Sequence, residues 1–454
     1  MNYKNSYVLK VYLLVTVFLM PFQLFSQERG QQDQVLSLSL QEAMELAIEQ
    51  NFSLEQAGYD VDKVKAQFQQ TNAVFLPQVS FEYNAISTDD PLNVFGFKLK
   101  QEVVSQQDFN PVLLNDPDAY DNYSAKFEVR QPLINPDMFF QRSAMKSQLN
   151  SVNEQLEGTK NYVRYQVRQQ YYNLILHIEQ IEVLETALKT AGEHRRQAQN
   201  YFEEGLISKE DYLSAKVYEL DMESQKLQTQ NALDRVQEDL ALLLGLEGKV
   251  RVQPTDDLNY ELSPETAIGT DEFEVNNAQT RAIGYKVQAA KKMVKASEFS
   301  FIPKVNLFGS YEFNDNDFAG FDASSYMIGA NLRWDIFSGF SKVGKVMEAK
   351  ADYRKAQSMQ ESHRLDQENK VRQAMRSIDH ATKQISLTEQ AIEQSTEDVK
   401  IRTNRYVEGM ERTTDLLEAE TKLAEAKLKN VMAVYQYNMS IAALQMLLEN
   451  DLIN

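Results

Sequence analysis

The sequence contains no cysteine at all. Disulfides are therefore excluded, and so is the acylated cysteine that a lipoprotein anchor requires. Glycine and proline are scarce, 16 and 10 in 454 residues. Scarcity of both, beside abundant Gln, Glu, Ala, Lys and Leu, predicts long helices rather than many loops. Beyond the first 26 residues no apolar run approaches the roughly 18 residues of a helical membrane span. Positive charge is in deficit, with a net charge of −19, and that argues against a nucleic-acid partner. Only four histidines occur, His177, His194, His363 and His380, with no His-x₃-His pair for a metal. Gly-x-Ser-x-Gly and a phosphate-cradling glycine loop are also missing, so neither enzyme, metal nor cofactor is expected.

What is present begins with an address. Lys4 and Lys10 precede an apolar core from Val11 to Met20, and Ser26 offers a small residue for cleavage before Gln27. Residues 1–26 read as an export signal, which places the mature chain outside the cytoplasm.

The rest reads as two copies of one pattern. Phe75-Leu-Pro-Gln-Val-Ser-Phe81 returns as Phe301-Ile-Pro-Lys-Val-Asn-Leu307. Pro77 and Pro303 cannot continue a helix and bias the residue before each toward extended geometry, so they mark helix–strand joints. The first copy, 27–245, is expected to hold a helix over about 40–74 and strands over about 77–87 and 123–133. A long helix over 138–200 and a shorter one over 209–245 complete it. Residues 246–275 read as a linker with little regular structure. The second copy, 276–454, is expected to hold a helix over about 276–301, strands over about 303–313 and 325–337, and helices over 340–404 and 413–450. Val371, Ile378, Ile385, Ile392 and Val399 recur at sevens in the long helix, a coiled-coil seam. The proline spacing exceeds that of the turn glycines Gly205 and Gly409 by roughly 20 residues, mainly in the first hairpin loop, as a duplication with a loop insertion predicts.

The strands alternate. Val79, Phe81, Tyr83 and Ala85 oppose Gln78, Ser80, Glu82 and Asn84; Tyr123, Ala125, Phe127 and Val129 oppose Ser124, Lys126, Glu128 and Arg130. Val305, Leu307, Gly309, Tyr311 and Phe313 continue the apolar set, with Phe308 out of pattern on the polar side, and Tyr326, Ile328, Ala330, Leu332 and Trp334 complete it. A soluble half-buried sheet shows the same alternation. An exported chain without a lipid anchor or a globular core favours strands that cross a membrane, and about 10–11 residues suffice for a tilted crossing. Phe81, Tyr83, Phe127, Tyr311, Phe313 and Trp334 would supply an aromatic girdle. Four strands cannot close a barrel, and open edges are not tolerated in lipid, so copies must share one. The helices, at about 65 residues and 1.5 Å per residue, would extend about 100 Å from it. The loop 88–122 is expected on the exterior, with Phe95, Phe97 and Phe109 either plugging the mouth or packing the loop.

The doubled helix–strand–strand–helix–turn–helix order resembles the TolC family of outer-membrane efflux channels over nearly the whole mature chain. The turns Gly205-Leu-Ile-Ser-Lys-Glu-Asp211 and Gly409-Met-Glu-Arg-Thr-Thr-Asp415 are similar to the family's tip pattern. The resemblance implies a mostly α fold with a membrane β portion. It implies a homotrimer with a 12-stranded barrel in outer-membrane lipid and a periplasmic helical tunnel. It implies partners as well, a periplasmic adaptor and an inner-membrane transporter of RND or ABC type. By position Asp415 and Glu418 would ring the pore constriction, with Asp211 and Tyr406 latching neighbouring helices. Gly205, Leu206, Gly409 and Met410 would form the adaptor-docking tips, although for Leu206 and Met410 hydrophobic capping of the turn is an equal alternative. Glu411-Arg412 departs from the commoner tip sequence. The expected function is an exit duct of a tripartite efflux pump for drugs, metals or other small toxic compounds. The alternatives are a duct for type I protein secretion and a non-spanning periplasmic coiled-coil adaptor or scaffold.

Overall fold

The computed structural model describes residues 34–248, 250–259 and 275–449; the export signal and most of the 246–275 segment lie outside these. The first copy opens with strand β1 (Gln34–Leu38), then helices α1 (Leu40–Gln50) and α2 (Phe52–Gln70). Ser39 and Glu42 form the capping box that starts α1. The single helix expected over 40–74 is thus two helices and a 3₁₀ turn, Thr71–Val74. Asn51 causes the break. Its side chain accepts from Ser53 N and Leu54 N as the N-cap of α2 and donates to Leu243 O, so a local cap outcompetes helix continuation.

Pro77 then ends the helical segment, and β2 (Gln78–Thr88) begins at the next residue. The hairpin loop carries α3 (Pro91–Lys100) and the short α4 (Pro111–Asn115), both with proline in the first turn. Strand β3 (Tyr120–Ile134) returns and leads into α5 (Pro136–Glu203), whose 68 residues make a rod of about 100 Å. Helix α6 (Lys209–Leu243) doubles back along it, and β4 (Val250–Pro254) comes next. The second copy repeats the order with α7 (Ala278–Phe299), β5 (Lys304–Asp315), β6 (Ala323–Arg333), α8 (Ser341–Val407) and α9 (Thr413–Leu448). Helix α5 is flanked by α6 toward the turns and by α2 and α7 toward the strands, while α8 lies against α9 and α7.

Strand β4 lies within the segment expected to have little regular structure. It pairs in parallel with β1, Leu36 opposite Val252, more than two hundred residues away in sequence. Tyr171 of α5, fully buried, anchors this small sheet. Its hydroxyl lies 2.8 Å from Leu38 O and 3.0 Å from Asp256 Oδ2 and accepts from Thr255 N. Burial pushes that hydroxyl up to about 12. A raised acid favours the neutral form in the fold, so its contribution is complete below the ordinary value of 10.0 and is lost as pH rises toward 12. Tyr171→Phe leaves Leu38 O with Thr255 N alone and takes away the hydroxyl that accepts from Asp256 N, and is expected to cost about 1–3 kcal/mol by denaturant titration. The surrounding core draws on α1, α5, α6, α8 and α9, and the expected seam residues Val371, Ile378 and Ile385 are buried in it.

The other sheet is antiparallel in the order β2-β3-β5-β6. Its register aligns Phe81, Phe127, Tyr311 and Tyr326 across all four strands, with Val79, Val129, Gly309 and Ile328 on the next row of that face. The predicted apolar face is therefore continuous, and it is open: Ile328 is 80% and Tyr326 76% exposed. Phe308, on the polar side, lies opposite Gly329, where a Cβ would come within 2.6 Å of its ring, so the glycine makes its room. Among the described residues, nothing pairs with the outer edges of strands β2 and β6. Lys304 Nζ to Asp137 Oδ2, 2.6 Å, and Trp334 Nε1 to Phe301 O, 3.0 Å, fasten the sheet to the helices near Pro303.

Candidate functional site: the paired turns

Both hairpin turns lie at the end of the rod opposite the four-stranded sheet. Ala191, Ala198, Ala215, Tyr218 and Met222 of the first hairpin close around Leu417 of the second, and the rings of Tyr201 and Tyr406 stand 6.0 Å apart. His194 Nε2 lies 3.2 Å from Glu420 Oε1 and adds a polar tie between them.

The turns share one backbone. Gly205 has φ +75° and Gly409 φ +73°, a left-handed conformation in which any side chain is strained. Leu206 N donates to Tyr201 O and Met410 N to Arg405 O, each at 2.8 Å, which satisfies the last helical carbonyls. In such a motif the residue after the glycine commonly packs back on the helix. Here Leu206 and Met410 are each 66% exposed and do not cap the turn.

The helix starts differ. Ser208 caps α6, and its Oγ donates to Asp211 Oδ2 at 2.6 Å while accepting from Asp211 N, a reciprocal box. Asp211 is thereby occupied within its own turn; Ser208 followed by Asp211 is the sequence signature that identifies this role. Helix α9 has Arg412 at its N-cap and no side-chain cap, which leaves the Asp415 carboxylate free of that duty. Glu418 is exposed, and Lys422 at 2.7 Å holds its carboxyl below the ordinary range. Tyr406 is buried inside its own chain, 4% exposed, with its hydroxyl accepting from Thr413 Oγ1 at 3.3 Å. Burial raises its pKa. Within the chain its contacts are to Thr413 of its own turn and to the Tyr201 ring of the first.

Sequence reasoning missed the strongest contact of the second turn. Glu411 is nearly enclosed and ion-paired at 3.1 Å to both Arg402 and Arg405. Arg402 also reaches Asp398 at 2.9 Å. Charges on the last helical turn facing one acid two residues past the glycine are the signal that would have found it. Glu411→Gln is expected to speed amide exchange at 408–412 by about tenfold, since an enclosed ion pair broken on one side costs more than 1 kcal/mol. Beside the turns, a groove of about 740 Å³ runs between α6 and α9, lined by Leu213, Val217 and Leu417 next to Glu418. Among the described residues no cluster of His, Asp and Glu is placed to hold a metal ion, and no helix is long and apolar enough to cross a membrane.

Among curated proteins none matches the chain by sequence. Solved structures do match it in fold. The Campylobacter jejuni CmeC outer membrane channel superposes with a TM-score of 0.79 at 17% identity, covering 90% of this chain and 85% of that one. VceC, an outer membrane protein of Vibrio cholerae, gives 0.75 at 18% identity over 90% and 95%. The Neisseria gonorrhoeae MtrE outer membrane channel in its open state gives 0.74 at 17% identity over 91% and 89%. The family model for outer membrane efflux proteins matches residues 43–246 and 270–450, one segment in each copy of the repeat. The chain belongs to the outer membrane efflux protein family, and with it to the outer membrane, its helical body on the periplasmic side.

Proposed function

We propose that three copies of this chain close a 12-stranded barrel in the outer membrane and continue it as a helical tunnel, the exit duct of a tripartite efflux pump. One observation carries the reading: a four-stranded sheet has a continuous exposed apolar face and two unpaired edges. In lipid such edges must be paired, and copies of the same sheet can pair them. The three bodies of about 100 Å then bring the paired turns together at the far end. There Asp415 and Glu418, repeated around one axis, would concentrate negative field at the narrowest level, favouring cations and opposing anions. Leu206 and Met410, exposed beside the left-handed turn glycines, are the docking tips for a periplasmic adaptor, which would in turn couple the duct to an inner-membrane transporter of RND or ABC type.

Cells deprived of the chain test this directly. Accumulation of a panel of dyes, drugs and metals is expected to rise severalfold and to return to normal on re-expression. Unchanged accumulation together with loss of a secreted protein would favour the type I secretion duct instead. Release of the chain from membranes by high salt alone would favour the non-spanning adaptor.

A further inference from the structure

The long hairpin loop does not project away from the sheet. Helix α3 touches β3 and β6 and lies across β5 between them. Lys100 Nζ reaches Glu312 Oε1 at 2.9 Å. Gln101, 5% exposed, donates to Asn122 Oδ1 and Asp121 O and accepts from the Tyr120 hydroxyl. Asn122 continues this ladder to Asn314 at 3.2 Å. Glu312, Asn122 and Asn314 all belong to the polar face, opposite the row of Phe127 and Tyr311. The loop is also built to hold its shape: Asp90 caps α3, Lys98 pairs with Asp108 at 2.8 Å, and the rings of Phe95 and Phe109 meet at 5.7 Å.

The two sides of α3 are set by helical spacing. Val94, 3% exposed, and Gln101 are seven residues apart and face the sheet. Leu92, 81% exposed, and Leu99, 53%, are also seven apart, about 140–180° around the helix from them. Gly96 lies between these leucines, and a Cβ added there would meet nothing within 4 Å. The helix therefore presents an apolar stripe with a small residue at its middle, directed away from the polar face. Lipid cannot cover it, because lipid would meet the other side of the sheet.

We infer that this stripe is covered by the same stripe of the neighbouring copies, so that the three α3 helices form a lid inside the outer mouth of the channel. The inference rests on the barrel reading above. Twelve strands at about 4.8 Å spacing and about 40° tilt enclose a backbone circle of about 24 Å diameter. A cylinder of about 11 Å laid on the inner wall of such a circle reaches to within about 1 Å of its axis. A helix crossing the polar face of each sheet is thus placed to meet its two symmetry mates, and Gly96 lets them approach. The lid is separate from the acidic constriction at the far end, and the Lys100–Glu312 pair and the Gln101 ladder hold it inward.

The absence of cysteine makes the test clean. Leu92→Cys, and separately Leu99→Cys, are treated with a cleavable bismaleimide in outer membranes, and the mass of the extracted assembly is measured by light scattering. The lid predicts that at least half of the chains run as cross-linked pairs with either variant. It predicts at least fivefold fewer pairs when Lys100→Ala and Gln101→Ala release the helix, and none with Val94→Cys. An intact three-chain assembly with no pairs from either leucine position would overturn the lid and leave the barrel standing. An extracted monomer would overturn the barrel reading, and the lid with it.

Discussion

Phe127→Arg is expected to lower the amount of chain assembled in the outer membrane at least tenfold. Phe127 sits mid-strand on the apolar face, paired with Tyr311 on one side and with Phe81 on the other, whose ring is 4.8 Å away. An arginine at the middle of the bilayer costs about 2–4 kcal/mol in a membrane barrel. Repeated in three copies, that is about 6–12 kcal/mol, comparable with the whole net stability of a folded domain. Lys126→Arg, one residue earlier and on the polar face, should leave assembly unchanged. Quantitative immunoblotting of outer-membrane fractions reads both. Equal yields of the two variants would mean that this face does not meet lipid.

Asp415→Ala combined with Glu418→Ala is expected to raise single-channel conductance in planar bilayers at least threefold and to weaken cation selectivity. Neither carboxylate caps a helix, so their removal should leave the tip folded. Their side chains are half-buried and exposed respectively, and Glu418 is ion-paired to Lys422. Asp211→Ala is the contrasting case. It breaks the capping box of α6, for an expected loss of about 1 kcal/mol of helix stability, with conductance little changed. The symmetric sequence pattern of the two turns, glycine, hydrophobe and an aspartate six residues on, conceals this difference, because the residue at the N-cap, Ser208 or Arg412, decides what the aspartate does.

That case shows where the sequence was legible. Period-two alternation survives in the structure because one face of each strand must be uniformly apolar whatever lies beyond it, so the shared face of Phe81, Phe127 and Tyr311 could be anticipated from three separate segments, while their alignment in one row could not. Pro77 and Pro303 act through their own backbone geometry and need no tertiary context. The heptad seam of α8 is likewise local, and Val371, Ile378 and Ile385 are buried as its spacing requires. Contacts made between distant segments were illegible. The β1–β4 pairing depends on Tyr171, which belongs to neither strand, and five-residue strands carry too little periodicity to announce themselves. Asn51 reads as one more polar residue in a helix until Leu243 O is found beside it. The loop helix α3 was hidden by its setting among Asp, Asn and Pro, although Asp90-Pro91 is a helix-start signature. Its place on the polar face is set by Lys100 and Gln101, whose partners lie on other strands or far along the chain.

The central claim is that one chain supplies one third of a closed barrel, so that β6 of one copy pairs with β2 of the next. Paired cysteines across those edges test it most directly. Ser80→Cys on β2 is combined in turn with Ser325→Cys, Met327→Cys and Asn331→Cys on β6, all on the polar face, and oxidised in outer membranes. Pairing of the edges predicts that at least one register yields a covalent three-chain species on a non-reducing gel, dispersed to single chains by reductant. Single chains in every combination, with the protein present in the membrane, would contradict it.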